Sequence, residues 1–146
     1  MPTVRTSAVA PESLIAGRGA RATRARIRAL GVLLAAREAL THHGIERRLK
    51  HGRDVDRVTL YRVLEWLVEQ GLAHKVAGDD RVWRYSAAGH GKGPAGGHPH
   101  AHFECSDCGR VVCLENAPVP AIALPRGFRR REVEVTVKGR CGACLK

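Results

Sequence analysis

A chain of 146 residues with 44% apolar content is long enough for one ordinary domain or two small ones, and too rich in core-forming residues to be a disordered tail. No apolar run approaches the roughly eighteen residues of a membrane span, and the start Met1-Pro2-Thr3-Val4-Arg5 lacks a signal-peptide core, so a cytoplasmic protein is expected. The net charge of +11 favours a polyanionic partner such as nucleic acid, because neutralised phosphates release their counterions; 14 of the 25 Lys and Arg, but only 7 of the 14 acids, lie at or before Lys75.

Residues 1–22 mix Ala, Gly, Pro, Ser and Arg without apolar periodicity and are expected to form a flexible basic arm whose arginines can touch a DNA backbone. From Thr23, the apolar residues Ile27, Leu30, Leu33 and Leu34 recur at helical spacing toward Leu40. Thr41 is placed to cap a short second helix carrying Ile45 and Leu49, stopped by His51-Gly52. Asp56 can cap a third, with Val58, Tyr61, Leu64, Leu67 and Val68 as the expected inward stripe and Gly71 as terminator.

Two strand-like runs, Leu72 to Val76 and Val82 to Ser86, flank the turn Ala77-Gly78-Asp79-Asp80. Three helices and a hairpin make a winged helix over residues 23–86, in which the third helix enters the major groove. Arg57, Thr59, Tyr61 and Arg62 are then candidate DNA contacts, with Leu60 also facing the reading surface; the hydroxyl of Tyr61 can reach a phosphate or base even if its ring packs inward. Residues 87–99, rich in Gly with two Pro and two His, are expected to be a hinge. The remaining strand-like runs, His102 to Ser106, Val111 to Glu115 and Arg131 to Lys138, place a second domain over residues 100–146. The fold class expected is α+β: a winged helix followed by a small, zinc-stapled α/β or mostly β domain.

In a reducing compartment the five cysteines are not expected to pair as disulfides. Cys105-Ser106-Asp107-Cys108-Gly109 and Cys141-Gly142-Ala143-Cys144 are two C-x-x-C knuckles that can offer four thiolates to one tetrahedral zinc. A thioredoxin-like redox pair would need a βαβ setting that the flanking sequence lacks. His98, His100 and His102 alternate on the approach to Cys105, Cys113 lies on the next strand candidate, and His74 ends the first wing strand. A zinc ion held from both sides of the hinge would bind in only one arrangement of the two halves, coupling metal occupancy to DNA-binding geometry. A solvated Gly/His linker with a buried Cys113 is the simpler alternative.

The order of these features resembles the ferric uptake regulator family of bacterial metal-dependent repressors, from about Thr23 to Cys144. Val58-Thr59-Leu60-Tyr61-Arg62-Val63-Leu64 looks like the family's recognition helix, Gly71-Leu72-Ala73-His74-Lys75-Val76 like its entry into the wing, and His100-Ala101-His102-Phe103-Glu104-Cys105-Ser106-Asp107-Cys108-Gly109 like its H-x-H-x-x-C-x-x-C-G signature. The resemblance implies a homodimer joined through the C-terminal sheet that binds a palindromic AT-rich operator when its sensing metal is loaded. The zinc uptake regulator branch fits best. It implies two zinc sites per chain, one structural and one regulatory, and repression of zinc uptake genes.

The sequence departs from that branch at Ser86, where a Cys is expected, while Cys113 stands where related sensors can use a Glu and so can supply the missing sulfur. A soft thiolate favours zinc over ferrous iron or manganese. Pro120 and Val133 occupy the places of a further acid- and histidine-lined site, and three prolines between Asn116 and Arg126 imply that the family's long C-terminal helix is shortened or missing. An iron- or peroxide-responsive regulator of the same family and a zinc-ribbon protein without sensing remain as alternatives. An enzyme is not expected: no phosphate-cradling glycine motif and no base-paired nucleophile is present.

Overall fold

The computed structural model describes residues 9–49, 55–88, 100–114, 120–131 and 133–146. Helices α1 (Pro11–Ala16) and α2 (Arg24–Ala35) lead to a two-residue strand β1 (Leu40–Thr41), followed by α3 (His42–Arg48) and α4 (Arg57–Glu69). The wing is formed by β2 (Ala73–Ala77) and β3 (Trp83–Ala87), and the C-terminal sheet by β4 (His100–Cys105), β5 (Val111–Leu114) and β6 (Glu134–Gly139). This is an α+β winged-helix architecture with a C-terminal β-sheet domain. Among the described residues no helix follows α4, and none is long and apolar enough to cross a membrane.

The helix boundaries are set by local chemistry. The side chain of Thr41 accepts the Gly44 N–H at 3.0 Å and that of Asp56 accepts the Thr59 N–H at 2.7 Å, each satisfying a donor that has no partner within its helix. After α4 the chain reverses at Gly71, whose φ of +70° costs a glycine little, and Leu72 N–H closes the end by bonding to Leu67 O.

The buried faces of these helices meet in one core, formed by Ile15, Leu30, Leu33, Ile45, Leu60, Leu64 and Leu67 together with Tyr85 of the wing. Two features of this core depart from the sequence-based expectation. The segment expected to belong to a loose arm contains α1, with Ile15 fully buried; a six-residue helix carrying one adjacent apolar pair, Leu14-Ile15, leaves no period to detect. The inward face of α4 is also rotated. Leu60, Val63, Leu64 and Leu67 are buried, whereas Val58 and Tyr61 are 61% and 48% exposed, so Tyr61 joins the outer face and Leu60 leaves it. Apolar residues occupy almost every side of this helix, and its packing against α2, not its period, selects the buried stripe.

The wing sheet has the order β1-β3-β2, all antiparallel, and its register sets His74 opposite Ser86. In the other sheet β4 is central, antiparallel to β5 and parallel to β6. His102 therefore has Cys113 beside it on one neighbour and Thr136 on the other, while Cys105 draws level with Gly139, two residues before Cys141.

The two sheets also meet directly. Ala39, Val76 and Val111 bury one another in a small apolar cluster, and Ala39 N–H donates to Val111 O at 2.8 Å. Around it Arg110 pairs with Glu38 at 3.0 Å, Lys138 pairs with Asp79 of the wing turn at 2.7 Å, and Glu104 accepts the Asp79 N–H. The hinge expected over residues 87–99 lies outside the described residues from 89 onward, as does His98.

Candidate metal centre

The ends of β4 and β6 deliver the two knuckles to one place. The ligand atoms of Cys105, Cys108, Cys141 and Cys144 lie within 4.8 Å of one another, and Cys108 Sγ is 3.8 Å from Cys141 Sγ. A tetrahedron with zinc–sulfur bonds of about 2.3 Å has edges of about 3.8 Å, so the spacing suits the ion. Each knuckle is a tight turn. Gly109 N–H bonds to Cys105 O with Gly109 at φ +76°, and Cys144 N–H bonds to Cys141 O. Arg140, which the sequence did not single out, ties the knuckles together by donating to Asp107 at 2.6 Å and to Cys144 O at 2.7 Å.

The electrostatics of the cluster also call for a cation. Main-chain N–H groups of Cys108 and Cys141 aim at the sulfur of buried Cys105 and bring its thiol down to about 6. The Cys144 N–H similarly lowers Cys141, whereas the neighbouring sulfurs of Cys141 and Cys108 push Cys144 up to about 12. Some thiolates are favoured, but all four together repel, and a bound divalent ion removes that conflict. Four sulfur donors with no place left for water make a closed, structural type of site.

Among the described residues these four cysteines are the one such group of three or more potential ligands. Of the other metal-ligand candidates, His102 is buried and sits beside Cys113 across the β4–β5 pair, with both side chains on the same face of the sheet. Cys105, three residues along β4, points to the opposite face, so one strand serves two separate positions. His74 lies on the wing strand β2 opposite Ser86, and His100 opens β4.

The candidate DNA-reading residues cluster at the start of α4. Arg57, Tyr61 and Arg62 are exposed, and Thr59 is half-buried with its N–H engaged by Asp56. Arg57 lies 3.7 Å from Glu46 of α3.

Comparison with known proteins agrees with this architecture. The ferric uptake regulator family matches over residues 17–136. That span stops short of Cys141 and Cys144, whose place in the cluster is given by geometry. The zinc uptake regulation proteins of Escherichia coli (strain K12) and Shigella flexneri are each 28% identical over 140 residues, covering 92% of this chain and 79% of theirs. Among solved structures, a zinc uptake regulator complexed with zinc and DNA superimposes with a TM-score of 0.65 at 22% identity, covering 92% of this chain and 89% of that one. The ferric uptake regulator of Helicobacter pylori gives 0.60 at 17% identity, with 92% and 89% covered.

Proposed function

The chain belongs to the ferric uptake regulator family, a family of transcription regulators and not of enzymes, and from that premise we propose that it is a zinc-responsive repressor controlling zinc uptake genes. Regulators of this family bind operator DNA as dimers. The DNA contacts assigned here are Arg57, Thr59, Tyr61 and Arg62 on the first turns of α4, with the C-terminal sheet as the dimer interface.

The observation that carries the zinc assignment is the pairing of His102 with Cys113 on one face of the sheet, away from the four-cysteine cluster. A thiolate and an imidazole side by side are soft and borderline donors, suited to zinc above ferrous iron or manganese. Cys113 then supplies the sulfur that Ser86 does not. His74 on the wing and His100 at the start of β4 are the further ligand candidates, with His98 two residues earlier in the sequence. Ligands on both sides of residues 87–99 make the regulatory zinc a tie between the DNA-reading half and the sheet, so the ion stabilises only the arrangement in which both halves contribute. The names of the E. coli and S. flexneri relatives support the same metal.

The test is a DNA-binding titration at fixed salt with zinc, ferrous iron and manganese added separately. Zinc alone restoring high affinity at the lowest free-metal concentration supports the assignment. Equal or better restoration by iron overturns it in favour of iron sensing. In cells, deletion of the gene should raise expression of zinc-import genes under zinc excess.

A further inference from the structure

On the outer face of the helical half, two rings from different helices lie flat together. His42, the first residue of α3, stacks on Tyr61 of α4 with centroids 3.7 Å apart and planes 18° from parallel. Tyr61 remains 48% exposed, whereas Nε2 of His42 is buried with no hydrogen-bond partner among the described residues. The pair borders a cleft of about 400 Å³ that is also lined by Glu46, Arg57 and the half-exposed Trp83 of the wing.

An imidazole nitrogen buried without a partner costs stability, and a purely apolar ring would cover Tyr61 without that cost. The arrangement therefore points to what the stack does for Tyr61. A half-exposed tyrosine on a helix surface otherwise exchanges rotamers, and each rotamer frozen on binding lowers affinity. Packing against His42 removes that freedom beforehand.

We propose that His42 is a positioning residue for DNA recognition, clamping Tyr61 so that its hydroxyl is presented to the duplex at the junction of α3, α4 and the wing. The proposal rests on the DNA-binding role assigned to α4. His42 acts through Tyr61 and does not itself contact DNA.

The clamp requires a neutral imidazole. The charged and titratable groups around it are His43 and Glu46 on its own helix, Arg57 and Tyr61 on α4, and Tyr85 on β3. Burial lowers the pKa of His42 below its ordinary 6.5; the Arg57 main-chain carbonyl and Glu46 oppose this, and the Arg57 guanidinium and His43 reinforce it. His42 is thus neutral at pH 7. Acid below the ordinary histidine range favours a charged ring that leaves the stack for water and releases Tyr61.

The experiment uses the full-length zinc-saturated protein and a duplex selected by the wild type from a random-sequence library. Affinity is measured at fixed salt between pH 7.5 and 5.5 for wild type, His42→Ala and His42→Phe, with melting temperature and zinc content as fold controls. At pH 7.5, His42→Ala should bind about tenfold more weakly with an unchanged salt slope, because no phosphate contact is lost. His42→Phe should bind within about threefold of wild type, and wild type should lose affinity in acid relative to His42→Phe. A shallower salt slope in His42→Ala, wild-type affinity in that variant, or parallel acid profiles for wild type and His42→Phe would overturn the clamp. If His42→Ala fails to fold, the comparison of wild type with His42→Phe decides alone. Failure of the wild type to select any duplex would instead remove the DNA-binding role itself.

Discussion

The helical half and the C-terminal sheet are held together by different forces. The first half buries fourteen apolar residues in one continuous cluster drawn from α1 to α4 and the wing. In the second, the fully or nearly buried residues among those described are Ala101, His102, Cys105, Val111 and Cys141, and two of these five belong to the four-cysteine cluster. Within one chain, a three-stranded sheet with so little apolar burial cannot offset its conformational entropy without a metal site or a partner subunit. The helical half is therefore stabilised chiefly by apolar packing, and the sheet depends far more on its four-cysteine site.

The largest effect should come from removing the structural zinc. Zinc binding to small zinc-folded domains is worth on the order of 10 to 16 kcal/mol at neutral pH, so chelation or Cys105→Ser should unfold the C-terminal sheet. Hydrogen exchange should then show β4, β5 and β6 losing protection while α2 and α4 keep theirs. Uniform loss across both halves would mean that the two halves unfold as one unit and share one source of stability.

A smaller and complementary effect is expected from Leu64→Ala, which empties a fully buried position in the helical core. It should cost about 2 to 5 kcal/mol in denaturant unfolding of that half and leave zinc content unchanged. Smaller still is the pair Glu38–Arg110, which links the two halves at 3.0 Å from partly exposed side chains. A double-mutant cycle should return about 0.2 to 1 kcal/mol of coupling, because solvent screens the charges. Much larger coupling would mean that the seam between the halves is rigid without regulatory metal.

The parts of this division that were legible in the sequence were those fixed by local chemistry. Thr41, Asp56 and Gly71 announced the helix ends because each supplies a particular hydrogen bond or backbone angle. The knuckles at Cys105 and Cys141 were equally plain, since their spacing is the coordination geometry. What packing alone decides was not legible. Val58 and Tyr61 carry an apolar signal equal to that of Leu60 and Val63, and only the docking of α2 distinguishes them. The two-residue strand β1 is too short to alternate, and the stack of His42 on Tyr61 joins residues nineteen apart that have no local pattern in common. Arg140 likewise gave no signal, because its role depends on the knuckles being folded against each other.

The regulatory reading stands on Cys113 as ligand to a second zinc, distinct from the structural one. Elemental zinc analysis of wild type and Cys113→Ser, coupled to DNA-binding titrations at fixed salt, tests it most directly. Two zinc ions per chain in wild type, one in the variant, and zinc-dependent DNA binding lost only in the variant are predicted. A single tightly held zinc in both proteins, with DNA binding indifferent to added metal, would contradict the claim and leave a zinc-structured DNA-binding protein that does not sense zinc.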